Sequence, residues 1–219
     1  MYYFPNRKIA GDLIAYKLGK QYRYEDCAVV ALNDGAVIVG AQIAAWLHCP
    51  LNMLLTEAIH LQGEYDTLAQ IDQAGGVTYN DTYSVGELEE IKAENFGYIE
   101  QQKLEKLFQM NKLLGQGGVI SPRLLRGRHI IVVSDGLSSG LSMRAAAAYL
   151  KPIKTNRLVM VTPFASVKAV DLMHVLADEI VCLNVLEDVI SIDHYYDDNR
   201  LPDHEKIIQV IEDIILHWK

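Results

Sequence analysis

Basic side chains are in deficit in this chain, 20 Lys and Arg against 28 Asp and Glu, so the positive excess that draws proteins to phosphate polymers or anionic lipid is missing. Nucleic acid and membrane surfaces are therefore not expected partners. Cysteine is scarce as well. Cys27, Cys49 and Cys182 are odd in number and far apart, with no Cys-x-x-Cys pair, and read as core thiols in a reducing compartment rather than a disulfide framework or zinc knuckle. The histidines at 48, 60, 129, 174, 194, 204 and 217 include no His-x-x-x-His pair, so no metal site or triad is argued and solvated or packing roles are the default. Gly-x-Gly-x-x-Gly and Gly-Lys-Ser/Thr are both absent, which removes the dinucleotide fingerprint and the Walker loop. The start, Met1 to Lys8, carries its charge after the aromatics and lacks a following apolar stretch, so it does not read as a signal peptide and a cytoplasmic protein is expected. Gly35 to Thr56 has no charged residue, but His48, Pro50 and Asn52 divide it into two buried elements rather than one membrane span.

What is present is an ordinary globular balance, 50% apolar and 22% charged over 219 residues, with no repeat or linker, so residues 1–219 are expected to form a single domain. Ile9, Leu13, Ile14 and Leu18 have the spacing of a helical face within Arg7–Leu18. The apolar run Cys27–Leu32 reads as a strand buried on both faces, and a helix over Ala36–Leu47 with a strand over Leu51–Leu55 completes a right-handed β-α-β unit. Thr67–Asp72 and Gly76–Asn80 flank Gly75-Gly76 as a projecting hairpin, part of a flap or hood within 57–118. Ser84 and Glu87 have capping-box spacing ahead of a long helix to about Leu114, which Gly115–Gly118 ends. Strands at His129–Val133, Arg157–Thr162 and Glu179–Asn184 then alternate with helices at Leu141–Leu150, Ser166–Leu176 and Glu205–Trp218. The fold class is α/β, a mainly parallel sheet with helices on both faces and a small hairpin insertion.

The chemistry concentrates after the third predicted strand of the sheet. In Ile130-Ile-Val-Val-Ser-Asp-Gly-Leu-Ser-Ser-Gly-Leu-Ser-Met-Arg, four apolar residues lead into a loop of serines and glycines that opens a helix, at the carboxyl end of a parallel strand where α/β proteins bind ligands. The N–H groups of Ser138 to Ser142, the hydroxyls of Ser139 and Ser142 and the positive helix end suit a phosphate monoester. The plainer reading is a tight turn that caps the next helix. Asp135 at the strand end favours the ligand reading, since a carboxylate there can bind sugar hydroxyls.

Val133-Ser-Asp-Gly-Leu-Ser-Ser-Gly-Leu-Ser-Met-Arg-Ala resembles the donor-binding signature of type I phosphoribosyltransferases, Asp-Asp-Gly-Ile/Leu-Ala-Thr-Gly-Ala-Thr-Met. Arg7–Leu13, Val30–Gly40, Ala177–Leu183 and Tyr195–Asp198 resemble, in the same order, further blocks of bacterial phosphoribosyltransferase-domain proteins, so the likeness covers nearly the whole chain. The resemblance implies that Asp135 holds the ribose hydroxyls and that Gly136, Leu137, Ser138, Ser139, Gly140, Leu141 and Ser142 surround the 5′-phosphate. Asn33, Asp34, Gly35 and Ala36 would contact pyrophosphate or its metal. It implies 5-phosphoribosyl 1-pyrophosphate as the phosphorylated sugar ligand, Mg²⁺ arriving with it and no dedicated protein metal site, transfer of a phosphoribosyl group to a nitrogen acceptor, and a homodimer that the aromatic start Tyr2-Tyr3-Phe4 helps to form.

Three positions depart from that pattern. The first acid of the signature is Ser134, the usual Pro-Arg-Gly-Gly loop is Asn33-Asp34-Gly35-Ala36, and a basic pair after the next strand is Thr56-Glu57. A unit charge at about 4 Å is worth roughly 1 to 4 kcal/mol, so exchanging Arg for Asp weakens the stabilisation of a departing pyrophosphate by several kcal/mol. A non-catalytic ligand-binding or regulatory homologue is the alternative reading. Asp34 is either a helix N-cap or a ligand contact, and Glu57 either a solvated loop-end carboxylate or a contact. Arg7 reads as a surface charge in preference to a contact with the substrate loop, Asp193–Asp198 as a surface loop in preference to a closure over a base, and Leu61–Tyr65 as a connection or a lid. No general base is evident.

Overall fold

The computed structural model describes residues 3–63, 67–114, 120 and 122–218. The expected helix stop at Gly115–Gly118 and part of the expected lid, Glu64 and Tyr65, lie outside the described residues, as does Tyr2 of the aromatic start. Along the chain, β1 (Phe4–Asn6), α1 (Arg7–Tyr22), β2 (Cys27–Ala31), α2 (Asp34–Leu47) and β3 (Leu51–Met53) come first. Then follow β4 (Thr56–His60), β5 (Thr67–Asp72), β6 (Val77–Tyr79), α3 (Val85–Glu94), α4 (Phe96–Leu114) and α5 (Pro122–Leu125). The remainder is β7 (His129–Val133), α6 (Leu141–Leu150), β8 (Arg157–Ser166), α7 (Val167–Leu176), β9 (Glu179–Leu186), β10 (Tyr196–Asp198) and α8 (His204–Glu212), with short 3₁₀ turns at Asp193–Tyr195 and Ile214–His217.

Five strands pair in the order β3-β2-β7-β8-β9, all parallel. Alternation on β2 and β7 explains why the sheet sits in the middle. Cys27, Val29, Ala31, Ile131 and Val133 join the core under α1 and α2, while Ala28, Val30, Ile130 and Val132 join the core under α6 and α7. A strand buried on both faces must be apolar throughout, as these two are. The Gly35–Thr56 stretch is α2, a left-handed turn at His48 and β3, and among the described residues no helix is long and apolar enough to cross a membrane.

Several expectations need correction. α1 turns inward through Ala10, Gly11, Ile14, Ala15 and Leu18, leaving Ile9 and Leu13 exposed. Close approach selects that seam, because a Cβ on Gly11 would stand 2.6 Å from the Val39 carbonyl oxygen of α2. The predicted hairpin is present as β5 and β6, with Asp72 Oδ1 accepting from the amides of Ala74 and Gly76, but β4 adds a third antiparallel strand. Glu57 lies on β4 and pairs with Lys106 at 3.2 Å rather than ending a loop in solvent. The Ser84–Glu87 capping box forms, yet Asn95 breaks the long helix into α3 and α4. The strand after Pro50 stops at Met53, β8 and β9 run on to Ser166 and Leu186, and the closing helix ends at Glu212. Tyr195 and Tyr196 are buried against Phe4 and Phe164, and β10 pairs with β1, so 193–198 is no surface loop.

Candidate functional site

Gly136 to Gly140 link the carboxyl end of β7 to the start of α6, and β8 fixes their course. Its last residues run past the end of β7 to bond the loop: Leu137 N–H donates to the Phe164 carbonyl at 3.1 Å and Ser166 N–H donates to the Leu137 carbonyl at 3.0 Å. The Ser166 hydroxyl donates to the Ser138 carbonyl at 2.5 Å and accepts from Ala169 N–H at 3.1 Å, tying the loop to α7. Ser134, which occupies the first-acid position, is buried, and its hydroxyl closes a small turn on the Gly136 carbonyl at 2.8 Å. Glycine is required at Gly136, where a Cβ would meet the Phe164 ring at 2.5 Å, and at Gly140, which caps α6 at φ +75°.

These bonds consume the amides of Leu137 and Leu141, the latter through a long 3.4 Å contact to the Ser139 hydroxyl. Among the described residues, the amides of Ser138, Ser139, Gly140 and Ser142 have no protein acceptor. Ser138 is exposed, and Ser139 and Ser142 are half-buried. The loop thus offers free donors at the positive end of α6, an arrangement suited to an oxyanion.

Asp135 is placed differently from its neighbours. Its side chain is 5% exposed, with Oδ2 accepting from Arg7 Nε at 2.8 Å and Oδ1 from Asn33 Nδ2 at 3.1 Å. Arg7, expected on the surface, is 4% exposed. Its remaining nitrogens donate to Asp193 Oδ1 at 2.6 Å and the Asn199 carbonyl at 3.1 Å, and its guanidinium lies 4.5 Å above the Tyr196 ring. Burial pulls the Arg7 pKa down, but the bond to Asp193 and the charge and bond of Asp135 outweigh it, so the group is held firmly charged. The Tyr196 hydroxyl donates to the Asp135 carbonyl at 2.5 Å, and burial followed by the nearby Asp135 charge drives its pKa upward.

Asn33 caps α2 through Oδ1, which accepts from Ala36 N–H at 2.7 Å, while its amide reaches Asp135, so the Asn33–Ala36 turn and the serine loop are joined. Asp34 opens α2 and meets His204 Nδ1 at 2.9 Å; His204 Nε2 lies 3.1 Å from the Leu113 carbonyl. Sequence reasoning weighed Arg7 and Asp193–Asp198 as site neighbours but ranked them as surface features, and it gave His204 only a solvated or packing role. One signal was available for Arg7: a cation in the first turn of a helix opposes the helix dipole and asks for a specific anion. Among the described residues no group of three or more His, Cys, Asp or Glu can hold a metal ion, and Asp34 and Asp135 already face His204 and Arg7. These side chains do not fit a resident Mg²⁺. A cavity of about 470 Å³ lies apart from the loop, where Arg144, Lys151, Ile153 and Val175 are among its lining residues.

The chain's likeness to phosphoribosyltransferases is carried by its curated relatives. Two curated Mycobacterium tuberculosis proteins, from strains CDC 1551 / Oshkosh and H37Rv and provisionally named phosphoribosyl transferases, are each 26% identical over 181 residues, 82% of this chain. The chain spans 40% of the length of those relatives. The crystal structure of TT1426 from Thermus thermophilus matches with a TM-score of 0.69 and 24% identity, covering 100% of this chain and 99% of that one, which establishes the fold. No known family profile matches the chain.

Proposed function

We propose that the protein binds a ribose 5-phosphate moiety at Gly136–Ser142 and, with 5-phosphoribosyl 1-pyrophosphate as donor, transfers the phosphoribosyl group to a nitrogen acceptor. The observation that carries this reading is the set of free amides at Ser138, Ser139, Gly140 and Ser142. They take the phosphate, with the Ser139 and Ser142 hydroxyls beside them, and the Asn33 to Ala36 turn is the contact for pyrophosphate. In the transfer, the bond from the anomeric carbon to pyrophosphate breaks, its electron pair leaves with pyrophosphate, and a carbon–nitrogen bond forms as the acceptor nitrogen loses a proton. Mg²⁺ bound to the donor would supply charge for the leaving group; no protein ligand is assigned to it. The same reading makes the chain a cytoplasmic homodimer, with the exposed Ile9, Leu13 and Tyr16 of α1 as an apolar strip for the partner copy.

Calorimetry with ribose 5-phosphate tests the binding half. Ser139→Ala combined with Ser142→Ala weakens affinity by roughly a hundredfold, on the order expected for two lost hydrogen bonds to an anion; unchanged affinity removes the phosphate site. A second reading, binding without turnover, is favoured by the burial of Asp135 on Arg7 and Asn33. Pyrophosphate release from the donor, with Mg²⁺ and a panel of purine, pyrimidine and amine acceptors, separates the two. Release marks an enzyme, and donor binding without release marks the non-catalytic homologue.

A further inference from the structure

Positive charge is unevenly placed in this acidic chain. Between Pro122 and Arg157 stand Arg123, Arg126, Arg128, Arg144, Lys151, Lys154 and Arg157, seven of its 20 cations, against one acid, Asp135, which is buried on Arg7. Three of the seven are paired: Arg128 with Asp26, Arg144 with Asp81 and Arg157 with Glu179. The side chains of Arg123, Arg126, Lys151 and Lys154 are exposed and have no ion pair or hydrogen bond among the described residues. Like charges gathered without counter-charge repel one another, and an anion seated among them relieves that cost.

These four cations border two adjoining cavities. The larger, about 470 Å³, lies where α6 and α7 end, with Ala147, Leu150, Ile153, Leu158 and Leu176 in its lining and Lys151 at its edge. The smaller, about 250 Å³, is lined by Arg123, Arg126 and Lys154 together with two prolines and Ile153, which borders both. Backbone bonds fix the segments that carry the cations: Ile153 N–H donates to the Leu150 carbonyl at 2.8 Å, and Gly127 N–H to the Lys154 carbonyl at 2.8 Å. Arg126 and Lys154 are thus held on neighbouring segments. Asp178, the acid beside Leu158, does not neutralise them, because its Oδ2 accepts from the Leu158 amide at 2.8 Å. Thr155 is the one uncharged polar side chain lining the larger cavity among the described residues, so a sugar or a purine would leave its polar groups unpaired there. A hydrocarbon body would not.

We infer that the joined cavities form a second ligand site, separate from the serine-glycine loop, for a small amphiphilic anion. Its acyl or aryl body fills the larger cavity, which falls within the usual range of about 300 to 1,000 Å³ for small-molecule sites. Its phosphate or carboxylate head lies among Arg123, Arg126 and Lys154.

The test is calorimetry on the full chain with one aryl body carrying three heads, 2-naphthyl phosphate, 2-naphthoate and neutral 2-naphthol, and with inorganic phosphate as a head without a body. The expected result is that at least one naphthalene anion binds about tenfold or more tighter than both 2-naphthol and inorganic phosphate; the tighter of the two anions identifies the head as phosphate or carboxylate. Arg126→Gln combined with Lys154→Gln weakens that anion by about tenfold and leaves 2-naphthol unchanged. Ala148→Phe, placed on the exposed lining of the larger cavity, weakens all three naphthalenes. The replaced side chains are exposed, so the fold is retained, and a thermal melt matching the wild type checks it. Neutral 2-naphthol binding as tightly as the anions, affinities unmoved by both variants, or no anion binding at all overturns the site. Displacement of the naphthalene anions by ribose 5-phosphate also overturns it, since that assigns them to the serine-glycine loop.

Discussion

Replacing Arg7 by Met keeps most of the side chain's volume and removes its charge. Both members of the Arg7–Asp135 pair are nearly sealed from solvent, at 4% and 5% exposure, so the substitution leaves a buried carboxylate with Asn33 as its remaining side-chain donor. Breaking a buried pair from one side costs about 3 to 5 kcal/mol. The second carboxylate on Arg7, Asp193, is 61% exposed and is rehydrated with little loss. For a chain of this size, about 2 to 4 °C of melting temperature accompanies each kcal/mol, so Arg7→Met melts roughly 6 to 20 °C below the wild type. The assay is thermal and urea unfolding followed by circular dichroism, with Asp135→Asn and the double variant completing a cycle. Removing both charges recovers much of the loss, because the double variant buries no unpaired ion. A single-variant cost below about 1 kcal/mol, or a double variant whose loss equals the sum of the singles, refutes the buried-anchor argument.

Four further outcomes follow from the same structure. Gly136→Ala drives a Cβ into Phe164 and Ile192 at 2.5 and 2.9 Å, and overpacking of this kind costs about 1 to 3 kcal/mol in urea unfolding; an unchanged midpoint contradicts the packing described. Burial, reinforced by Glu25 and Asp26 at Cys27 and by Cys27 at Cys49, pushes both thiols from 9.0 up to about 12. Their protons are therefore held more tightly in the folded chain than in the unfolded one. Stability from this source is fully present below pH 9 and falls as pH rises toward 12, so a urea midpoint that stays level across that window opposes the assignment. Ser84→Ala removes the α3 cap and lowers stability by about 1 kcal/mol, with Ser84→Gly costing only a few tenths. Sedimentation velocity gives about twice the 24.6 kDa chain mass if α1 pairs with a second copy, and Leu13→Glu returns the species to a single chain.

The parts of the fold that were legible are those whose burial is continuous. Cys27–Ala31 and His129–Val133 are apolar because both faces of the sheet are covered, so their strand character was written in the residues themselves. The serine-glycine loop was legible through glycine and hydroxyl placement. β1 and β10, three residues each, were not, since each is a strand only because the other lies beside it, Phe4 opposite Tyr196 from the far end of the chain. Arg7 was hidden for the same reason. Nothing near it in sequence supplies its partners, and the acids that bury it arrive from Asp135 and Asp193. The face of α1 was misjudged because bulk suggested Ile9 and Leu13, whereas the tight crossing with α2 selected small residues at Gly11 and Ala15. The break at Asn95 interrupts an amphipathic pattern whose period continues through it.

The most direct test of the loop is a crystal of the full chain soaked in ribose 5-phosphate. The predicted result is phosphate oxygens within about 3 Å of the Ser138 to Ser142 amides, with Asp135 still bonded to Arg7. A phosphate bound elsewhere, or amides already turned onto their own chain, contradicts the assignment.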